Sequence, residues 1–286
     1  MSTAPPSMLK EAPAHLSKGH DGITGQWSQF WGLYSREFIK TFRNPWVIAM
    51  TLIQPFMWLA FFGGMFSAVP DTEIDLFLHL PPGTGYLAFL LPGVLATGMM
   101  SIGMFGAMST IQDKRFGFMK RILITPTSKA TVYLAKALGS ATRGLVQIPV
   151  MLTAALAFGV HFQGSVIGWA AWVIGLICLG IGFSAMFLAL TASSTDWQTP
   201  GVIANFITMP LMFASGAMFP TSIYPWWMKD IADMNPVGYS AGLSRDVLTY
   251  GQFTGSDVAA LGYLGLFAIV MIIAGTALAS RYLKVE

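Results

Sequence analysis

Six stretches of the chain carry no Asp, Glu, Lys or Arg: Val47–Phe66, Tyr86–Ile111, Gly144–Val160, Val166–Ala192, Pro200–Met218 and Val258–Ser280. They run from 17 to 27 residues, and about 20 suffice to carry a helix across roughly 30 Å of hydrocarbon. The third stretch extends back to Ala137, because Arg143 near its start can snorkel to the headgroups; its span becomes 137–160. Pro55, Pro149 and Pro210 fall inside spans and predict kinks rather than breaks. The pattern predicts an all-α membrane protein with six transmembrane helices.

Charge sets the orientation. Lys10, Lys18, Arg36, Lys40 and Arg43 precede the first span, seven basic residues from Lys114 to Arg143 follow the second, and Arg281 and Lys284 follow the last, together 14 of the 16. Six crossings put these three segments on one side. The other side receives Lys229 and Arg245, and its first loop is acidic at Asp71, Glu73 and Asp75. The positive-inside rule then places both termini in the cytoplasm.

The segments between the spans divide the chain further. Residues 1–27 have no apolar run suited to a signal peptide and carry repeated Pro and Gly, so they read as a flexible cytoplasmic tail. The remaining 28–286 form one membrane unit. Within Ser28–Asn44, Trp31, Tyr34, Phe38 and Phe42 recur at helical spacing, with Arg36, Lys40 and Arg43 on the opposite face. Such a helix suits the inner headgroup layer, ended by Asn44-Pro45. The cytoplasmic segment 112–136 is too short for a domain yet longer than a turn, and Gly117 and Pro126 punctuate it. It can rest on a soluble partner or bind anionic lipid. The loop 219–257 holds Trp226, Trp227 and Met228, too apolar for free solvation, and predicts a re-entrant or capping segment before the last span.

Composition agrees: 54% of residues are hydrophobic and 10% charged, with a mean hydropathy of +0.61. The lone Cys178 rules out a disulfide framework. No G-x-x-x-x-G-K-[ST] or H-E-x-x-H is present, and the four histidines, at 15, 20, 79 and 161, lie in the tail or loops. Neither a nucleotide site nor a metal site is expected in this chain. Ion-coupled carriers need titratable groups near the midplane, whereas these spans offer neutral Gln54, Gln147 and Asn205 as the residues that could line a pathway. For Gln54 an interhelical hydrogen bond is the stronger reading. The energy source is therefore sought on another chain.

Three motifs carry a resemblance to a known family. Tyr34-Ser35-Arg36-Glu37…Phe42-Arg43-Asn44-Pro45 precedes the first span. Tyr86-Leu87…Leu91-Pro92-Gly93 is followed by Asp113-Lys114-Arg115-Phe116-Gly117-Phe118-Met119-Lys120-Arg121 and Thr125-Pro126-Thr127-Ser128-Lys129. Ser215-Gly216-Ala217-Met218-Phe219-Pro220 leads to Tyr224-Pro225-Trp226-Trp227, Asn235-Pro236…Tyr239 and Arg245. In this order the motifs resemble those of permease subunits of ABC type-2 exporters, which move drugs, lipids or polysaccharides. Lys120 stands where many members carry an acid, and Lys129 where Arg is commoner.

The resemblance implies a multi-pass subunit of the plasma or inner membrane, with no catalytic residue or cofactor of its own. ATP and Mg would sit on a cytoplasmic ABC ATPase in trans. The permease would pair with itself or a relative, embedded in the lipid bilayer; nucleic acid is not among its partners. It implies an ATPase-coupling element at Asp113, Lys114, Arg115, Gly117, Lys120, Arg121 and Pro126. The interfacial helix, with Arg36, Glu37, Arg43 and Pro45, would lie beside it. Pro220, Trp226, Asn235, Pro236 and Arg245 would form an outer gate. A secondary carrier, and a membrane-embedded enzyme or assembly factor, are the alternatives.

Overall fold

The structure, a computed structural model, describes residues 23–66, 69–117, 128–191 and 198–282. Among them every regular element is helical: α1 (Ile23–Phe42), α2 (Pro45–Phe66), α3 (Asp71–Leu78), α4 (Tyr86–Arg115), α5 (Lys129–Gly144), α6 (Gln147–Ala157), α7 (Val166–Leu190), α8 (Gln198–Phe213), α9 (Trp226–Asp233), α10 (Pro236–Leu248) and α11 (Gly255–Tyr282). A 3-10 turn, Thr221–Ile223, precedes α9.

Local chemistry sets several boundaries. Asn44 and Pro45 separate α1 from α2, and the Asn44 side chain accepts the Trp46 amide. Ser128 caps α5 by accepting from Thr131, and Ser165 caps α7 by accepting from Gly168. Asn235 caps α10, with Pro236 in the first turn where its missing N–H costs nothing.

Among the described residues three helices are long and apolar enough to cross a membrane: Tyr86–Asp113, Val166–Leu190 and Gly255–Leu278. A fourth crossing arises if α2 and the sharply bent α3 count as one. The expected third span is instead two helices, α5 and α6, interrupted at Leu145 and Val146. Pro149 supplies the reason, because it has no N–H for the Leu145 carbonyl, which takes the Ile148 amide instead. The expected fifth span stops being helical at Phe213 and turns through Gly216 at φ +71°. The amphipathic entry helix begins at Ile23, before the expected Ser28.

Helix α4 is the centre of the bundle. It packs against α2, α5, α6, α7, α8 and α10. Leu90, Leu91, Val94, Leu95, Met99 and Met100 are buried together with Trp172, Leu176, Leu179 and Phe183 of α7. Two α4 glycines permit the closest approaches: a Cβ at Gly103 would meet the backbone of Phe183 and Ser184, and one at Gly93 would overlap the Ala217 carbonyl. Small residues serve this purpose in membrane helices. α2, α8 and α11 lie outside, exposing Phe61 and Met65, Phe206 and Met209, and Ile269 and Ile273.

Gly93→Ala is expected to destabilise the fold by about 1–3 kcal/mol through overpacking, while Gly32→Ala, inside α1 with open space around it, leaves it as stable or stabilises it by up to about 1 kcal/mol. Thermal unfolding of the two purified variants in one detergent checks the contrast.

Candidate functional site

Two polar clusters stand out, one at each end of α4. At the end near Tyr86, the chain leaving α8 must satisfy carbonyls that no helix turn serves. Side chains do so in order. The Asn235 amide donates to Leu211 O at 2.7 Å, Ser215 to Met212 O at 2.7 Å, and Tyr224 to Phe213 O at 2.7 Å. Arg245 donates to Gly216 O and Ala217 O, each at 2.8 Å, and to Phe89 O at 3.0 Å. Tyr86 completes the set on Met218 O at 3.1 Å. The Arg245 guanidinium also lies 3.7 Å from the centre of the Phe89 ring, a cation–π contact.

Burial lowers the Arg245 pKa to about 10, partly offset by neighbouring tyrosines and Asp246, so it stays charged at neutral pH. Burial also raises Asp246, to about 6, reinforced by its hydrogen bond to Asp257 and that carboxylate's charge, against the pull of Arg245. A cavity of about 550 Å³ opens beside Arg245, Asp246 and Asp257. A larger one, about 830 Å³, lies between the end of α2, the 81–88 stretch and the loops at 158–163 and 249–252.

At the other end of α4, α1 and α5 meet it through charges. Lys136 of α5 binds Asp113 of α4 at 2.6 Å and Glu37 of α1 at 3.4 Å. Arg36 reaches Glu37 at 3.0 Å and Asp113 at 3.5 Å, and Lys40 reaches Asp113 at 3.4 Å and Ser109 at 2.9 Å. Arg143 donates to Thr41 at 2.9 Å. Glu37, Asp113, Lys136 and Arg143 are each only 6–7% exposed. Along α1 also runs a series of ring contacts, Trp27–Phe30–Tyr34–Phe38–Phe42.

The residues singled out in the sequence fall in distinct places. Asp113 points inward, into the ion cluster with Arg36 and Glu37. Arg43, Pro45 and Arg115 are exposed. Gly117 adopts φ +69° with nothing beside it, which allows the chain to turn out of α4. The Lys114 side chain and all of Lys120, Arg121 and Pro126 lie outside the described residues. Of the outer residues, Asn235 and Arg245 join the carbonyl staple, Pro220 and Pro236 are buried nearby, and Trp226 is 78% exposed. Gln147 is fully buried, donating to Leu95 O at 3.1 Å; Gln54 is half-buried on α2 and Asn205 exposed on α8.

Lys136, Tyr86 and Tyr224 are central to the clusters; the two tyrosines stood in the family motifs, but none of the three was given a role. The available signal was that Glu37 and Asp113 are the lone carboxylates in segments 28–44 and 112–136. Among the described residues no three His, Cys, Asp or Glu gather as a metal site.

The family model for ABC-2 type transporters matches residues 28–249, taking in both clusters. The chain belongs to the ABC-2 type transporter family. Daunorubicin resistance ABC transporter permease protein DrrB1 of Streptomyces coeruleorubidus is 25% identical over 202 residues, covering 71% of this chain and 67% of the relative. A protein named as a transport permease, ycf38, of Pyropia yezoensis is 28% identical over 214 residues, 73% and 69% of the two chains. Nodulation protein J of Rhizobium leguminosarum bv. viciae is 25% identical over 212 residues, 70% and 77%. This ABC-2 chain is thus a multi-pass membrane transport component.

For this ABC-2 protein, Arg245→Lys leaves carbonyls unserved, because an ammonium cannot reproduce the forked geometry. A loss of about 3 kcal/mol is expected in thermal unfolding, and a wild-type melting curve would contradict the staple. Asp246 yields a pH dependence. Its folded pKa of about 6 exceeds the unfolded value of about 3.9, so the folded state holds the proton more tightly. The stability it contributes is full below roughly pH 4 and lost as pH rises through about 6. The difference in melting temperature between the wild type and Asp246→Asn should change sign or shrink across that window.

Proposed function

We propose that this chain is the membrane-spanning permease of an ATP-driven exporter whose ATPase is a separate cytoplasmic ABC subunit. The observation that carries the reading is the joint order of the three family motifs, within a family match that spans most of the chain, on a chain with no phosphate loop. The chain crosses the membrane six times with both termini in the cytoplasm: α2, α4, the broken α5–α6 pair, α7, α8 and α11. The break in α5–α6 is explained by Pro149, α8 runs through Pro210 and ends at Phe213, and protein-buried irregular backbone is tolerated at membrane depth. The cytoplasmic, plasma- or inner-membrane orientation follows from the basic residues at the α1 and Asp113 end.

Segment 112–136 is the coupling element, with Arg115 and Arg121 meeting the ATPase and Gly117 and Pro126 shaping its turn. ATP and Mg are held by that partner. The loop 219–257 is the outer gate. Two permeases, identical or related, form the working unit. α2 and α8 support this, since they leave Phe56, Phe61, Phe206 and Met209 exposed with Asn205 on the same outer helix. An amide facing hydrocarbon is costly, whereas one facing a partner or a pathway is satisfied. The cargo is an amphipathic, drug-like or lipid molecule, or a glycan. A drug-resistance permease among the relatives favours the first.

The test is capture of the tagged chain from the membranes of its own host. A phosphate-loop ATPase should co-purify, and Arg115→Glu with Arg121→Glu should cut its recovery by about tenfold or more, since like charges replace attractive contacts, with membrane abundance unchanged. No ATPase in the wild-type capture would overturn the reading, and undiminished capture by the double reversal would overturn the coupling role of these arginines.

A further inference from the structure

The ion cluster at the inner end of α4 has a geometry that docking an ATPase does not require. Asp113 stands just before the chain leaves α4 at Arg115, and Lys136 stands in the second turn of α5. Their 2.6 Å contact therefore joins the two ends of the segment between them and closes it at its base. Both partners are turned away from solvent, with side chains 8% exposed. They are poorly placed to meet a soluble protein.

The same pair holds α1. Lys136 bridges Asp113 and Glu37, while Arg36 and Lys40 reach back from α1 to Asp113. Gly139 on α5 sits where a Cβ would press on the Glu37 side chain, so the two helices approach closely at this point. Arg143 and Thr41 add a second α5–α1 hydrogen bond, and Tyr34 and Thr142 a third. Three helices thus share one set of charges.

Sharing makes the joint stiff. A buried ion pair contributes little net stability, but separating it strands a charge in a poorly polarisable interior. If α1 slid along α5, Glu37 would lose Lys136 and keep Arg36 of its own helix; if α4 moved away from α5, Lys136 would lose its 2.6 Å partner and Asp113 would keep its longer contacts to α1. Displacement of either neighbour against α5 is therefore resisted, which favours movement of the three elements together.

We propose that this cluster locks α1, the inner end of α4 and α5 into one lever, with Asp113 and Lys136 as positioning residues that deliver motion of the coupling segment to the bundle. The proposal rests on the ATP-driven reading above, and it assigns Asp113 to the interior of the permease rather than to the ATPase surface.

Two measurements test it. The first is hydrogen–deuterium exchange on the full chain in nanodiscs, without any ATPase. Asp113→Asn and Lys136→Gln should each speed exchange of α1 by about tenfold or more, because local opening no longer strands a charge. Exchange in α7 should be unchanged, and Asp113→Glu should stay near wild type. Exchange of α1 within twofold of wild type in either variant overturns the lever; should one variant fail to accumulate, the other decides.

The second uses the captured ATPase complex, with Met234→Cys in a Cys178→Ala background and maleimide labelling from the outside. In the wild-type background, ATP with vanadate should change the labelling rate. In Asp113→Asn the ATPase should still be captured and should still hydrolyse ATP, while the nucleotide-dependent change at position 234 falls at least fivefold. Retention of that change with Asp113→Asn overturns the proposal while sparing the ATP-driven reading. Absence of an ATPase from the wild-type capture removes that reading, and with it the role in transport, but leaves the exchange result to judge the joint itself.

Discussion

Polar groups that leave water must find partners within the protein, and in this molecule that constraint shapes both ends of the central helix. Where α8 stops at Phe213, the carbonyls of Leu211, Met212, Phe213, Gly216, Ala217 and Met218 would otherwise face an apolar interior. Six side-chain donations meet them, from Asn235, Ser215, Tyr224, Arg245 and Tyr86. Irregular backbone is admissible at such depth when protein donors replace water. The outer-loop motif, Ser-Gly-x-x-Phe-Pro to Asn-Pro and Arg245, is then the set of turn formers and donors that this break in the helix demands.

The inner end solves the same problem with ions. Two carboxylates, Glu37 and Asp113, face Arg36, Lys40 and Lys136, and Arg143 is held by a threonine. The cations outnumber the acids, in keeping with a surface that obeys the positive-inside rule. Each carboxylate serves more than one cation, so neither is stranded. Trp31, Phe38 and Phe42 of α1 are exposed, suited to the boundary between headgroups and acyl chains. One helix therefore presents a membrane face and an ionic face, and the ionic one ties it to the bundle.

How much of this was legible depended on what each residue reports. Long charge-free runs marked α4, α7 and α11 almost to the residue, because hydrocarbon thickness acts on the sum of a segment rather than on its details. Asn44-Pro45 marked the boundary between α1 and α2, since capping is local chemistry. Pro149 and Pro210 were visible, but whether a proline kinks a helix or ends it depends on donors elsewhere, and Arg245 lies 35 residues beyond Pro210. Pairing was the harder matter. Asp113 sits in a basic segment and suggests a surface contact; its burial follows from Lys136, which is 23 residues away, and from α1, which no local pattern brings to it. Gln147 behaved likewise: a polar residue in a span fits a pathway or a helix contact equally, and Leu95 O supplies the contact.

The two clusters are not independent, because α4 belongs to both. It spans Tyr86 to Arg115, about 45 Å at 1.5 Å per residue, with Tyr86 and Phe89 O in the outer staple and Ser109 and Asp113 in the inner joint. Between them it is closely packed: Gly93 meets the Ala217 backbone and Gly103 that of α7, so it has little room to bend or rotate by small amounts. A well-packed element of this kind changes position by exchanging one set of contacts for another rather than by gradual deformation. On the coupling proposed above, displacement of the inner joint would therefore reach the staple as a shift of the whole helix. The turn at 214–218, held by Arg245 and Tyr86 to that same helix, would be the first structure on the far side to register it.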